Sequence, residues 1–386
     1  MKVLFDHQAF DMQTHGGVSR CFAELYSHRP ASLDAEISVV ETDNVYLREL
    51  GFPAKGTAYE HFLHSGDSKL KHALFKFFTN ARYRNFSRFD RWPQLNHLES
   101  VAAMRKQDFD IFHPTFFDDY FLQYIGDKPF VVTVHDMIPE LYPEYYPADD
   151  AQIVLKKKII PRASHIIAVS NRTKEDLVRI MNIQDEKVSI IYHGADDEPY
   201  IYSGERKFDF QYILYVGERR DYKNFASFSR DCIPVLKRHP DLNVVCSGMP
   251  FTAEELNFFD AYGMRDRFIH VFVRTKQELS DLYHDAVTFV YPSEYEGFGI
   301  PILEAYRAGC PVMLNHASCF PEIAGDAAVY FRMDRQSSDF EEQFETLYHM
   351  TGDERRALLE KQNERLKLFS WTKSAQELAD VYSGIV

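Results

Sequence analysis

The chain has 386 residues, enough for two domains at ~150 residues each. Hydrophobic residues make up 45% and charged residues 26%, which is ordinary for a folded protein and excludes disorder, collagen or a coiled coil as the main structure. With 44 Lys and Arg against 58 Asp and Glu, the net charge is −14, so general nucleic-acid binding is disfavoured.

The cysteines are scattered and form no CxxC pair, which indicates buried thiols in a reducing compartment rather than disulfides or a zinc site. They are Cys21, Cys232, Cys246, Cys310 and Cys319. The apolar run at residues 3–5 ends at Asp6, whereas a secretory signal needs roughly 7–15 apolar residues. No segment reaches the ~18 apolar residues of a membrane span. These features predict a cytoplasmic protein.

Short apolar runs alternate with amphipathic stretches, which predicts doubly wound α/β domains. Several runs are almost continuous Val, Ile and Phe, as is typical of strands buried on both faces of a parallel sheet. In the first half, strands are predicted over 2–5, 36–40, 111–113, 129–135, 165–169 and 188–193. In the second half, they are predicted over 212–216, 242–246, 268–273, 286–291, 311–314 and 327–331. Helices are predicted between them over 254–262, 276–284 and 300–308.

A polar stretch over 194–206 breaks both periodicities and predicts a domain boundary. We therefore expect an N-terminal domain over 1–195, a C-terminal domain over 206–368 and a final helix over 369–386. Ser370 is predicted to cap that helix, and a helix of this kind can cross back onto the first domain.

Residues 69–92 combine seven Lys or Arg with seven aromatic residues and a single acid. A basic amphipathic helix with aromatic side chains on one face can lie on an anionic membrane surface or bind an anionic acceptor. A helix whose aromatic side chains belong to the core fits the sequence equally well, so both interpretations remain open.

The strongest motif is EGFGIP at residues 296–301, directly after a predicted buried strand. Its two glycines permit a tight loop and close approach of a ligand, and its proline suits the first turn of a helix. Backbone N–H groups at Phe298, Gly299 and Ile300 would then point at the carboxyl edge of the strand, with the positive end of that helix behind them. Such an arrangement predicts a diphosphate site.

Glu296 and Glu304 stand eight positions apart, about 12 Å if the segment is helical throughout. Each carboxylate can accept hydrogen bonds from two hydroxyl groups. One carboxylate could therefore hold the sugar end of a bound molecule while the other holds its ribose.

In this context the two glutamates resemble the E-x7-E signature of the retaining glycosyltransferases of family 4 (group 1), which have the GT-B fold. Shorter motifs agree with that family in order along the chain. They are HGGVSR at 15–20, VTVHDMIP at 132–139, AVS at 168–170, YVG at 215–217, KN at 223–224, PEIAGD at 321–326 and FSW at 369–371.

The resemblance implies two Rossmann-like domains that face each other across a cleft. It implies a GDP- or UDP-linked sugar as donor, bound mainly by the C-terminal domain. Glu296 would bind the sugar hydroxyls and Glu304 the ribose. Lys223 and a nearby arginine would neutralise the diphosphate, which Gly16 and Gly17 would approach from the N-terminal domain.

The family often has an arginine directly before the Lys-Asn pair, where this chain has Tyr222. We predict that Arg219 supplies this charge, in preference to Arg220. His135 would position the sugar and acceptor without abstracting a proton. The base would bind near the end of the strand that leads to Arg274.

The resemblance also implies a reaction without a metal or other cofactor, because Lys223, an arginine and the loop amides can stabilise the leaving diphosphate. Asp108 and Asp110 form a D-x-D pattern, which holds a metal in the other major glycosyltransferase fold. Here they lead into a predicted strand, where acids commonly mark the strand start. We therefore predict no metal site.

We expect a retaining hexosyltransferase that uses a nucleotide sugar and a saccharide or lipid-linked glycan acceptor, in polysaccharide or cell-surface glycan synthesis. Two alternatives of the same fold are a non-catalytic binder of sugar nucleotides and a sugar-nucleotide isomerase. A dinucleotide-dependent oxidoreductase is disfavoured, because no G-x-G-x-x-G follows the first strand.

Overall fold

The computed structural model describes residues 1–56, 92–195, 200–334 and 337–386. The basic aromatic segment over 69–92 lies outside the described residues, apart from the backbone of Trp92. Both interpretations of that segment therefore remain predictions. Among the helices that are described, none is both long enough and apolar enough to cross a bilayer.

The described residues of the first half contain six parallel strands. They are β1 (Lys2–Phe5), β2 (Asp34–Ile37), β3 (Ile111–His113), β4 (Val131–Val134), β5 (His165–Ala168) and β6 (Val188–Ile190). Strand β1 lies between β2 and β3, and β5 lies between β4 and β6. A parallel bridge between Phe112 and Phe130 joins the two groups, so the order across the half is β2-β1-β3-β4-β5-β6.

The helices of the first half cover both faces of these strands. They are α1 (Gln8–Met12), α2 (Gly17–Ser27), α3 (Val45–Glu49), α4 (Trp92–Lys106), α5 (Ile138–Leu141), α6 (Ala151–Ile159) and α7 (Asn171–Met181). Val3 and Phe5 pack on one face with Phe22 of α2. Leu4 packs on the opposite face with Met104 of α4. This alternation is what a strand buried on both sides requires.

Strand β2 is displaced from its predicted position over 36–40, because it pairs only as far as β1 extends. Lys2 lies opposite Asp34, and Phe5 lies opposite Ile37. Strand β1 ends before Asp6. One side-chain oxygen of Asp6 accepts hydrogen bonds from the backbone N–H and the hydroxyl group of Thr115.

The second half has a six-stranded parallel sheet in the order β12-β11-β10-β7-β8-β9. Its strands are β7 (Gln211–Val216), β8 (Leu242–Ser247), β9 (Phe268–Val271), β10 (Thr288–Tyr291), β11 (Val312–Asn315) and β12 (Val329–Phe331). Read from β9, this is the dinucleotide-fold order 3-2-1-4-5-6. The order reverses between β7 and β10, where open α/β sheets bind their ligands at the carboxyl ends of the strands.

The remaining helices follow the predicted alternation, and three of them match the predicted helices to within one or two residues. They are α8 (Phe225–Arg238), α9 (Ala253–Ala261), α10 (Lys276–Asp285), α11 (Ile300–Arg307), α12 (Phe320–Ala324), α13 (Phe340–Tyr348), α14 (Gly352–Leu366) and α15 (Trp371–Ser383).

Helix α15 packs on the first half of the chain. Its Trp371 and Tyr382 are buried in the same core as Phe5. Ser370 caps the helix, as predicted, by accepting a hydrogen bond from a backbone N–H of the first turn. A Cβ on Gly194 would lie 2.2 Å from the Trp371 backbone nitrogen. Gly194 and Trp371 are therefore closely packed at the two places where the chain passes between the halves.

Candidate active site

Two loops that leave the carboxyl ends of β7 and β10 meet in an ion pair. Lys223 Nζ lies 2.6 Å from Glu296 Oε1, and both side chains are largely buried. Ser293 Oγ lies 2.8 Å from the same carboxylate oxygen. Asn224, with φ 56°, ends the short 3-10 turn that carries Lys223. The structure thus brings together the predicted lysine and glutamate at the reversal point of the sheet.

The loop after Glu296 packs against the end of β4 in the first half. A Cβ on Gly297 would lie 1.7 Å from the carbonyl oxygen of His135, so only glycine fits. Gly299 adopts φ +95°, which strains any L side chain. The Phe298 ring is buried edge-on to His193 with centroids 4.8 Å apart. Its side chain belongs to the core, and its backbone N–H is what it can offer a ligand.

The N-terminus of α2 lies beside that of α11. Gly16 and Gly299 are the N-cap residues, and neither helix has a side-chain bond from its cap. A Cβ on Gly17 would lie 3.6 Å from Ile300 Cδ1. Gln13 Oε1 does accept a hydrogen bond from one first-turn N–H of α2. First-turn N–H groups lack partners within their helix and carry partial positive charge, so the two ends together favour an anion.

Arg20, one turn into α2, joins the two halves at Glu304. Its Nη1 lies 2.8 Å from Glu304 Oε1, with 8% of the arginine side chain and 26% of the glutamate side chain exposed. In the sequence Arg20 stands only as part of the glycine motif, and nothing there identifies it as a site residue. The available signal was its position one turn after Gly17, on a helix whose start was already assigned to the cleft.

His135 lies at the end of β4 with its ring stacked on His193, with centroids 5.6 Å apart. Within the described part of the chain, its buried Nε2 has no hydrogen-bond partner. Burial lowers the pKa of His135 to about 4, so the imidazole is neutral near pH 7. A neutral imidazole can still donate or accept a hydrogen bond.

One group of described residues could hold a metal ion. The ligand atoms of Cys21, His135 and His193 all lie within 4.8 Å of one another. A thiolate and two neutral imidazoles suit zinc. Burial raises the pKa of the Cys21 thiol well above its usual value, so a metal ion that binds here would have to displace the thiol proton.

The arginines predicted to bind the donor pair with residues other than Lys223 and Glu296. Arg219 Nε lies 2.7 Å from Glu255 Oε1 at the start of α9, and its side chain is buried. Arg220 is exposed and paired with Glu218. Arg274 is exposed, and its backbone N–H donates to a glutamate of α10. The choice of Arg219 over Arg220 as phosphate ligand gains no support from these contacts and stays a prediction.

The D-x-D pair has the structural role that its position before a strand suggested. Asp110 Oδ2 accepts a hydrogen bond from the Lys2 backbone N–H at 2.8 Å. Asp108 lies 3.0 Å from the Lys2 ammonium group. Both acids therefore hold the start of β1 beside the start of β3.

Tyrosines from the two halves pack against one another, a contact that the sequence did not reveal. Tyr142 and Tyr145, which follow α5, are stacked with centroids 6.0 Å apart. Tyr142 also faces Tyr222 at 5.7 Å and Tyr295 at 6.4 Å, both from the second half. Tyr222 is the residue that replaces the family's arginine next to Lys223.

Solved structures share this fold over the whole chain. The structure of Anabaena Alr3699/HepE in complex with UDP and glucose has a TM-score of 0.70 at 16% identity and covers 99% of both chains. A glycosyltransferase from Rickettsia africae ESF-5 has a TM-score of 0.67 at 14% identity and covers 100% of this chain and 98% of that one. The fold is GT-B, with two Rossmann-like domains.

Two family models match adjacent parts of the sequence: Glycosyltransferase Family 4 over 48–199, and Glycosyl transferases group 1 over 201–365. The chain therefore belongs to glycosyltransferase family 4 (group 1), as its motifs indicated.

Curated relatives are similar over about half of this chain. O-antigen chain mannosyltransferase RfbU of Salmonella typhimurium is 29% identical over 55% of this chain and 63% of its own length. O-antigen chain mannosyltransferase B of Escherichia coli is 28% identical over 52% of this chain and 56% of its own length. The matched regions therefore span less than two thirds of either relative.

Proposed function

We propose that this protein is a retaining glycosyltransferase that moves a hexose from a nucleotide-diphosphate sugar to a hydroxyl group of a saccharide or lipid-linked glycan. The observation that carries the proposal is the Lys223–Glu296 pair at the reversal point of the second sheet, beside helix N-termini from both halves. The O-antigen mannosyltransferases among the relatives support glycan synthesis and favour mannose as the sugar.

The leaving diphosphate would be stabilised by positive charge from this chain. During transfer the bond between sugar C1 and the phosphate oxygen breaks, and the acceptor oxygen bonds to C1 on the same face. The acceptor proton passes to the departing phosphate. The Lys223 ammonium group and the N–H groups at the starts of α2 and α11 stabilise the charge that develops there. We propose on this basis that no metal ion is needed.

The sugar would be held by Glu296 and His135. One oxygen of Glu296 already accepts from Lys223 and Ser293, which leaves the other for sugar hydroxyls. The lowered pKa of His135 makes it a weak base at neutral pH, which favours hydrogen bonding over proton abstraction.

We also propose a division of labour between the halves. Residues 1–195 would bind the acceptor, whose sugar rings can pack on the partly exposed rings of Tyr142 and Tyr145. Residues 206–368 would bind the nucleotide sugar, with Glu304 on the ribose. The donor would then contact both halves, because the N-termini of α2 and α11 lie side by side at Gly17 and Ile300.

The test compares Glu296→Gln with Glu360→Gln, a matched substitution on the exposed face of α14. Nucleotide release from GDP-mannose and UDP-glucose is measured with saccharide and lipid-linked acceptors. We expect one donor to be used and Glu296→Gln to lower the rate at least ~100-fold with nucleotide binding retained. Glu360→Gln should match the unmodified protein.

Three outcomes would contradict the proposal. Transfer that survives Glu296→Gln removes that residue from the mechanism. A product whose anomeric configuration is inverted by NMR excludes retention. Activity lost in EDTA and restored by Mg²⁺ or Mn²⁺ excludes metal-independent transfer. Nucleotide-sugar binding without any transfer would favour the non-catalytic binder, and a rearranged donor would favour the isomerase.

A further inference from the structure

Glu304 is held by a residue from the other half of the chain. Arg20 Nη1 donates to Glu304 Oε1 at 2.8 Å, and only 6% of Arg20 is exposed. The Arg20 guanidinium also lies 3.7 Å from Glu24 Oε1 on its own helix. Removing Arg20 would leave the Glu304 carboxylate, of which 26% is exposed, without this charge partner. The guanidinium therefore fixes where the Glu304 carboxylate lies.

The carboxylate lies close to the anion-binding helix ends. Glu304 is four residues after Ile300, on the same side of α11. Ile300 Cδ1 would lie 3.6 Å from a Cβ on Gly17, at the start of α2. An uncompensated carboxylate here would repel a diphosphate. Arg20 offsets that charge, while Glu304 remains partly exposed and a carboxylate has a second oxygen to offer.

We propose that Arg20 is a positioning residue for recognition of the donor ribose. It holds one oxygen of Glu304 so that the other accepts the ribose hydroxyls. Because Arg20 belongs to α2 and Glu304 to α11, ribose recognition requires the two halves to be in contact. This inference rests on the proposed function, in which Glu304 binds ribose.

The test compares a nucleoside diphosphate with its 2′,3′-dideoxy analogue, using calorimetry on the full-length chain and whichever of GDP and UDP binds. We expect the unmodified protein to bind the ribonucleotide at least ~10-fold more tightly, since hydrogen bonds to a charged group are among the strong ones. In Arg20→Gln this preference should fall to less than ~3-fold. Arg20→Lys, which keeps a charge, should recover part of it.

Lys276→Gln is the matched control, because it breaks another ion pair between the halves. Lys276 Nζ lies 3.1 Å from Glu49 Oε2, with both side chains more than half exposed. It should leave the ribose preference unchanged. Glu304→Gln should also abolish the preference, and the double variant Arg20→Gln/Glu304→Gln should lose no more than either single variant, as for residues that act as a unit.

Other results would overturn the inference. If Arg20→Gln weakens the ribonucleotide and the dideoxy analogue equally, the arginine acts on the diphosphate or on folding instead. If circular dichroism shows that Arg20→Gln is unfolded, Arg20→Lys is tested in its place. If Arg20→Lys has a lower thermal midpoint but the same preference for the ribonucleotide as the unmodified protein, the positioning role of Arg20 is refuted. Equal binding of both nucleotides by the unmodified protein refutes the ribose role of Glu304. Failure to bind any nucleotide refutes the proposed function itself.

Discussion

Gly297 is the position where the active-site loop of the second half touches the first half most closely. Its missing Cβ would lie 1.7 Å from the His135 carbonyl oxygen. Ordinary contacts of this kind are ~1.5–2 Å longer, so Gly297→Ala must push the loop and the end of β4 apart by more than 1 Å. Because Glu296 precedes this residue, the displacement moves the carboxylate away from its ligand position.

A misplacement of about 1 Å in a catalytic group can cost ~100-fold in rate, or ~2.7 kcal/mol of transition-state stabilisation. We therefore expect Gly297→Ala to lower nucleotide release about 100-fold while the nucleotide still binds. The control is Gly352→Ala at the start of α14, where a Cβ would meet nothing closer than 3.9 Å. A Gly297→Ala protein within threefold of the unmodified rate would refute the reasoning.

Two further predictions concern stability. Tyr382→Phe removes the hydroxyl that bonds the buried His113 Nδ1, so the free energy of unfolding should fall by ~1–3 kcal/mol in urea titrations; an unchanged midpoint would show that the bond contributes nothing. The pKa of His135 is lowered to about 4 from 6.5. As the pH falls, the His135 imidazole is therefore protonated in the unfolded chain before it is protonated in the folded chain. The contribution to stability is complete above pH 6.5 and is lost between about 6.5 and 4. The thermal midpoint should fall across that range, less steeply in His135→Asn, and equal slopes would contradict the assignment.

The fold was accessible from sequence because its signals are local. Continuous apolar runs locate β7 and β10, and the glycines and proline after β10 predict the loop and the start of α11. Glu296 and Lys223 were found because each belongs to a short motif. The bounds of β2 are the exception, because the length of this strand is determined by its pairing with β1 and not by its own residues.

The contacts that complete the site are pairings between distant positions, which a single sequence does not encode locally. Arg20 and Glu304 are 284 positions apart. No sequence pattern shows that the Arg219 guanidinium pairs with Glu255, and its assignment to phosphate stays a prediction. The packing of tyrosines between the halves could not be predicted from the sequence either, because Tyr142 meets Tyr222 only when the halves face each other.

The return of α15 to the first half has a consequence for synthesis of the chain. Phe5 and Tyr382 share one core although 377 positions separate them. At ordinary elongation rates, roughly 20–75 s pass between the emergence of the two residues. During that interval this core contains α2 but lacks α15, while the sheet that begins at β7 can already close. The half translated first is therefore completed last, and its incomplete apolar core is the part of the nascent chain where aggregation-prone surface stays exposed longest.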